Sequence, residues 1–117
     1  MLYVKRWEEL PEVPVLPNNF RVSMASLKMG INRIRWVHPT GAPPHHHDDA
    51  EQAVIVIEGR MRWNIDGEEV ILKPGDVAIF PIGVIHFGES MGEDASFYEV
   101  FAPLRVQNLI GFVGKIF

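Results

Sequence analysis

Short apolar runs separated by glycine and proline turns constrain the fold of this chain more than any other feature. Arg60 to Ile65 alternates polar and apolar residues, as a half-buried strand does. Asp66-Gly67 is a strong hairpin signal, and residues 68–72 form the predicted returning strand. The continuous apolar run from Ala53 to Ile57 predicts a strand buried on both faces. Further strands are predicted at residues 33–38, 77–80, 84–87 and 96–101. No useful length of chain has helical periodicity, so the sequence predicts an all-β fold, an antiparallel sandwich or barrel.

The 117 residues fit a single domain with three parts. Prolines 11, 14 and 17 argue against a long helix or a central strand near the start, so residues 1–22 are predicted to form extended edge segments. The barrel itself is predicted over residues 23–105, followed by an apolar tail at 106–117. Because a core of this size is small, a partner subunit would help it, and we expect a homodimer.

Composition excludes several classes of function. The formal net charge is −4 and no basic patch is visible, which argues against a nucleic-acid partner. The chain has no cysteine, so disulfides and thiolate metal sites are excluded. No apolar run reaches membrane-spanning length, so we expect no membrane partner. The first residues lack the apolar stretch of a signal peptide, which predicts a cytoplasmic location.

Three histidines suggest a metal site. His45 and His47 are two residues apart, so on a strand they point to the same face while His46 points away. His86 follows a proline-glycine turn much later in the chain. Neutral imidazole is a borderline ligand that suits zinc, nickel, iron and related ions. The pattern predicts that these three histidines bind one divalent transition metal ion.

An oxygen ligand is expected just beyond the first two histidines, and two residues compete for that position. With Gln52, all ligands are neutral and the metal keeps its full charge, which favours an anionic substrate and Lewis-acid chemistry. With Glu51, one carboxylate offsets part of the charge and redox chemistry becomes easier. The residues alone leave both alternatives open.

Two motifs in this chain resemble those of the cupin superfamily. The first comprises Gly41, His45, His47 and Gly59. The second comprises Gly75, Pro81, Gly83 and His86. This resemblance, which spans residues 41–90, implies a jelly-roll β-barrel (a double-stranded β-helix) with one bound Ni, Zn, Fe or Mn ion. Counting back from Gly59, the family pattern places Gln52 at the fourth ligand position beside His45, His47 and His86.

A narrower resemblance concerns the segment from Glu99 to Arg105. Its Glu-x-Phe-x-Pro-x-Arg pattern, together with Gln52, is similar to the KdgF-type pectin-degradation cupins, in which the acidic position is typically Asp. Those proteins open and linearise 4,5-unsaturated uronates, which implies a small anionic sugar as substrate and a non-redox isomerisation as reaction. The resemblance implies that Glu99 moves a proton, that Arg105 binds the substrate carboxylate and that Phe101 walls the pocket.

The orientation of this strand is open from sequence alone. Glu99 and Phe101 share one face by the period of two, but Tyr98 and Val100 on the other face are also apolar enough to point inward. Two rival functions are open as well. A metal-dependent dioxygenase or lyase would use iron and suit Glu51 as a ligand, and a non-catalytic cupin would bind or sense a ligand without turnover. A fold alone does not decide among them.

Overall fold

The computed structural model describes residues 3–104 and 115–116 of the chain. A three-residue 3-10 helix, Trp7–Glu9, precedes the strands. The strands are β1 (Glu12–Leu16), β2 (Asn19–Ala25), β3 (Gly30–Trp36), β4 (Gly41–His45), β5 (Glu51–Glu58), β6 (Met61–Ile65), β7 (Glu68–Leu72), β8 (Val77–Phe80), β9 (His86–Ser90), β10 (Ala95–Ala102) and β11 (Lys115–Ile116). In these described ranges, no helix has the length and apolar character that crossing a membrane would require.

The strands form two antiparallel sheets. The larger sheet has the order β1-β2-β3-β10-β5-β8, and the short strand β11 pairs with β2 in the parallel direction. The smaller sheet has the order β4-β9-β6-β7. Each sheet also joins strands that are far apart in sequence, as in β3-β10-β5 and β4-β9-β6, which is the jelly-roll arrangement of a double-stranded β-helix. The predicted all-β barrel is therefore confirmed.

The two sheets enclose a core built around stacked aromatic rings. Trp36 of β3 and Trp63 of β6 lie nearly parallel with ring centroids 5.8 Å apart, which joins the larger sheet to the smaller one. Phe97 of β10 packs edge-on against Trp36 at 5.2 Å, and Phe80 of β8 contacts Trp63 at 5.6 Å. These large rings fix the separation of the sheets at one end of the barrel.

The apolar run in β5 is not buried on both faces, and that prediction is wrong. Val54 and Val56 are buried, but Ile55 between them is 36% exposed. A two-sheet sandwich has one interior, so alternate residues of each strand point outward. Val77 and Ile79 of β8, which pair with Ile55 and Ala53, are also exposed on this outer face. A continuous apolar run does not distinguish a doubly buried strand from one whose outer face is apolar.

Several strands differ from the sequence-based boundaries. β2 was not predicted as a strand, and it begins at Asn19, before the expected start of the barrel at residue 23. β9 runs from His86 to Ser90, so it begins and ends later than the strand predicted at residues 84–87. The edge position of β1, which contains Pro14, agrees with the proline argument, because an edge strand can lack one backbone donor.

An ion pair links the edge strand β1 to β3. Arg35 donates from Nε and Nη2 to the two carboxylate oxygens of Glu12, at 3.2 and 2.7 Å. This hydrogen bonding lowers the pKa of Glu12 below its ordinary value, so the pair persists at neutral pH. Both side chains are well exposed, and the pair contributes at most about 1 kcal/mol to stability. It helps to hold β1 at the edge of the larger sheet.

Candidate metal centre

The structure brings three imidazoles together at one end of the barrel. His45 is the last residue of β4 and pairs directly with His86, the first residue of β9. His47 follows in the loop after β4, and the ring centroids of the three histidines lie 4.2 to 5.2 Å apart. Their ligand atoms all lie within 4.8 Å of one another. These three residues could therefore hold a metal ion.

His47 reaches the cluster by a route that differs from the predicted one. The strand ends at His45, so the two histidines do not alternate along one regular strand. The backbone N–H of Gly83 instead donates to the carbonyl oxygen of His47 at 2.9 Å. This bond ties the loop after β4 to the proline-glycine turn of the second motif. His46 points away as expected, with Nε2 3.2 Å from Asp48 and its side chain exposed.

Backbone carbonyls orient two of the rings. Nδ1–H of His45 donates to the carbonyl oxygen of Pro43 at 2.6 Å, and Nδ1–H of His86 donates to that of Val84 at 3.0 Å. Each carbonyl belongs to the residue two positions earlier, so the local chain itself fixes the tautomer. With Nδ1 protonated, Nε2 is the nitrogen that can bind a metal.

Gln52, rather than Glu51, lies beside the histidines. Gln52 is 2% exposed, and its Oε1 accepts a hydrogen bond from Nε2 of His47 at 2.9 Å. Glu51 is exposed on the other face of β5. Two ligands at right angles, each about 2.1 Å from an ion, would be about 3.0 Å apart. The 2.9 Å separation fits that arrangement. The ligand atoms of the three histidines, which lie within 4.8 Å of one another, would move closer on binding, because ligands of one ion are about 3.0 to 3.4 Å apart.

Glu99 is connected to this centre through Gln52. It lies on the same face of β10 as Phe97 and Phe101, both of which are buried, so this face points into the barrel. Its Oε2 accepts from Nε2 of Gln52 at 2.9 Å, and its Oε1 accepts from Nδ2 of Asn32 at 3.0 Å. Because the Gln52 amide donates to Glu99, its oxygen is turned toward His47. The carboxylate thus orients the amide.

Asn32 is a site residue that the sequence reasoning missed. The predicted strand began at residue 33, whereas β3 begins at Gly30. Asn32, Ile34 and Trp36 are two residues apart in turn and share the inner face, where all three are buried. Extending the strand backwards by the same alternation would have placed this polar side chain inside, opposite Glu99.

Two aromatic rings pack on the imidazoles. Phe80 lies nearly parallel to His86 with centroids 4.1 Å apart, and Phe101 is edge-on to His47 at 5.3 Å. Both phenylalanines are buried. They restrict the rotation of the rings and lower the local dielectric, which strengthens electrostatic interactions at the centre.

A cavity of about 280 Å³ opens beside the centre. His45, Gln52 and Glu99 line it together with the aromatic residues Trp36, Trp63 and Phe97. A second cavity of about 470 Å³ lies on the outer face of the larger sheet, between Trp7 and Ser96, and contains none of the three histidines. Two of the candidate ligands, His45 and Gln52, line the cavity of about 280 Å³, which is therefore the candidate substrate site. Arg105, the expected carboxylate-binding residue, lies outside the described residues.

Comparison with known proteins agrees with this architecture. The family model described as "Cupin domain" matches residues 36–101, which include all three histidines. The chain therefore belongs to the cupin family.

Its relatives and structural neighbours extend this comparison. "Germin-like protein subfamily 1 member 13" of Arabidopsis thaliana is 38% identical over 90 residues, which cover 68% of this chain and 40% of that protein. The chain thus spans less than half the length of such relatives. KdgF from Halomonas sp. is similar in structure, with a TM-score of 0.81 and 22% identity over 86% of this chain and 92% of that one. An RmlC-like cupin from Shewanella frigidimarina NCIMB 400 has a TM-score of 0.82 and 19% identity over 92% and 96% of the two chains. At these identities, the structural likeness establishes the fold.

Proposed function

We propose that this cupin uses one divalent transition metal ion to isomerise a small anionic sugar, opening the ring of a 4,5-unsaturated uronate. The ion would be held by His45, His47, His86 and Gln52. The observation that carries the proposal is the position of Gln52, whose amide contacts His47 on one side and Glu99 on the other. His45, Gln52 and Glu99 line one cavity, which supports a site that combines neutral ligands with a carboxylate.

A bound dication with four neutral ligands supplies Lewis acidity and attracts anionic oxygens. The protein's own groups supply the rest of the chemistry. Glu99 lines the cavity and moves the proton as the ring hemiacetal opens and the enol becomes a ketone. Phe101 and Phe97, both buried, exclude water from this end of the barrel. Arg105 remains the expected partner of the substrate carboxylate in this proposal.

Removing the Gln52 amide tests the ligand set. We expect Gln52→Ala to weaken metal binding by about 10- to 100-fold or more, because it removes a proposed ligand and leaves Glu99 without its bridge to His47. Glu51→Ala is the matched control, since Glu51 is exposed and adjacent in sequence. Titration of the metal-free variants with Ni²⁺ or Zn²⁺ measures both affinities. A larger loss for Glu51→Ala would reverse the assignment.

The activity itself is tested with unsaturated galacturonate. Metal-loaded protein should accelerate the loss of ultraviolet absorbance of the unsaturated ring, and Glu99→Gln should reduce kcat by about 10²- to 10⁴-fold. Because Glu99 also orients Gln52, the assay is run at saturating metal, and the metal content of each sample is measured alongside. A parent protein that shows no acceleration over buffer with the metal bound would contradict the proposed reaction.

The similarity to germin-like proteins favours a second candidate, a different role on the same scaffold. Oxygen consumption with an iron-loaded protein would indicate a dioxygenase. Ligand binding without turnover, unchanged by Glu99→Gln, would indicate a binding or sensing cupin. The neutral ligand set containing Gln52 supports the non-redox isomerase over the first of these.

We also propose that the chain forms a homodimer through the outer face of β5 and β8. Val77 and Ile79 are 62% and 65% exposed there, next to the partly exposed Ile55. These three apolar side chains, two on the edge strand β8 and one on its neighbour β5, form a surface that a second copy would cover. Light scattering at micromolar concentration should give twice the chain mass. A monomer at that concentration would contradict the dimer.

A further inference from the structure

Arg21 occupies an unexpected place, inside the barrel beside the candidate metal centre. It pairs across strands with Ile34, which is 4% exposed in the core, and paired residues on neighbouring strands project to the same face. Asn19, two residues earlier on β2, shares this inner face. Both side chains line the 280 Å³ cavity together with His45, Gln52 and Glu99.

The guanidinium of Arg21 forms no ion pair within the described part of the chain. Its Nε is buried and has no hydrogen-bond partner there. Other arginines differ: Arg35, Arg60 and Arg62 each pair with a glutamate at the surface. Glu99 lines the same cavity, but its two oxygens accept from amides of Asn32 and Gln52. A buried charged donor without an acceptor is costly, and a ligand would remove that cost.

The buried polar atoms around the cavity indicate the chemistry of this ligand. Arg21 Nε and the indole nitrogens of Trp36 and Trp63 are donors, and all three are buried without a partner in the described structure. Oδ1 of Asn19 is an acceptor that is also buried without a hydrogen-bond partner in the described structure. A guanidinium binds a carboxylate through two parallel hydrogen bonds, whereas an amide oxygen accepts from a hydroxyl group. These three donors and one acceptor suit a small ligand that carries a carboxylate and a hydroxyl group.

We infer that Arg21 and Asn19 form a subsite that binds the carboxylate of the substrate and a neighbouring hydroxyl group, with Arg21 as the residue that selects an acid over a neutral sugar. The inference deepens the proposed function, because the carboxylate is that of the uronate proposed above, and it gives Arg21 the role that the resemblance implied for Arg105. Arg21, the residue that would recognise the acid, lies on β2. The sequence predicted only extended edge structure for residues 1–22.

Binding of D-galacturonate, which is saturated at the position where the proposed substrate carries its double bond, tests the subsite separately from turnover. Isothermal titration of the metal-loaded protein should show binding that Arg21→Gln weakens by about 10- to 100-fold and that Arg21→Lys restores in part. Arg62→Gln is the matched control, because Arg62 is exposed and paired with Glu69 and Glu89. It should leave the affinity for galacturonate unchanged.

A second readout separates recognition from a structural role. Metal affinity, measured on the same variants, should be equal in Arg21→Gln and the parent. Equal losses of metal and galacturonate binding would overturn the inference, since Arg21 would then only support the fold of the site. A parent that does not bind galacturonate, or an Arg21→Gln variant that binds it like the parent while Arg105→Gln does not, would also overturn it. Failure of the absorbance assay with galacturonate binding intact would count against the proposed reaction alone.

Discussion

His45→Ala should abolish high-affinity metal binding while His46→Ala leaves it intact. His45 presents Nε2 to the cluster because the Pro43 carbonyl holds its Nδ1, whereas His46 is exposed and contacts Asp48. Loss of an outer partner of a metal ligand costs roughly 10- to 100-fold in affinity, and loss of a ligand itself should cost more. Competition against a chromophoric chelator, with Ni²⁺ or Zn²⁺, measures the affinities of both variants.

This pair of variants is more informative than a substitution at His86. His86 is 1% exposed and stacked on Phe80, so removing its ring would also open a cavity in the core. His45 is only half-buried, and the two variants differ by one position in the same histidine triplet. Equal metal affinity in His45→Ala and the parent would contradict the assignment of this histidine as a ligand.

Gly59→Ala should lower the free energy of unfolding by about 2 to 5 kcal/mol. Gly59 follows β5 with φ +74°, a conformation that favours glycine. A Cβ at this position would overlap the carbonyl oxygen of Asp94 and lie 2.8 Å from Cα of Ala95. The glycine thus permits close approach of β5 and β10, the central strands that carry Gln52 and Glu99. Urea denaturation measures the loss.

Gly92 provides a matched control for this variant. Its φ is also +74°, but a Cβ there would meet nothing within 4 Å. Gly92→Ala should therefore cost only the backbone term, about 1 kcal/mol. The difference between the two variants isolates the steric cost at Gly59. Equal destabilisation would show that the contact with Asp94 has no energetic importance.

The sequence predicts the architecture well where turns and alternation carry the information. The Asp66-Gly67 hairpin, with Asp66 at φ 53° and Gly67 at φ 86°, joins β6 to β7 as expected. The alternation in β6 correctly places Trp63 inside. These features are local, and the local chain determines them.

Long-range features are harder to predict because they depend on pairing between distant strands. Glu99 accepts hydrogen bonds from both Gln52 and Asn32. These contacts require β3, β10 and β5 to lie side by side, so that Asn32, Glu99 and Val54 are paired across the sheet. Nothing local to Asn32 indicates that register. Arg21 was missed for the same reason, since its place in the barrel follows from the pairing of β2 with β3. For His47 the sequence predicted the right residue but the wrong local structure. It belongs to the histidine cluster, although it lies in the loop after β4 and not on the strand that was expected to position it.

Crystals soaked in Zn²⁺ and measured at the zinc absorption edge would show whether His45, His47, His86 and Gln52 bind one ion. We expect a single anomalous peak about 2.0–2.2 Å from the three imidazole nitrogens and from Oε1 of Gln52, with Nε2 of Gln52 still donating to Glu99. No peak among these side chains, or rings turned away from one another, would contradict it.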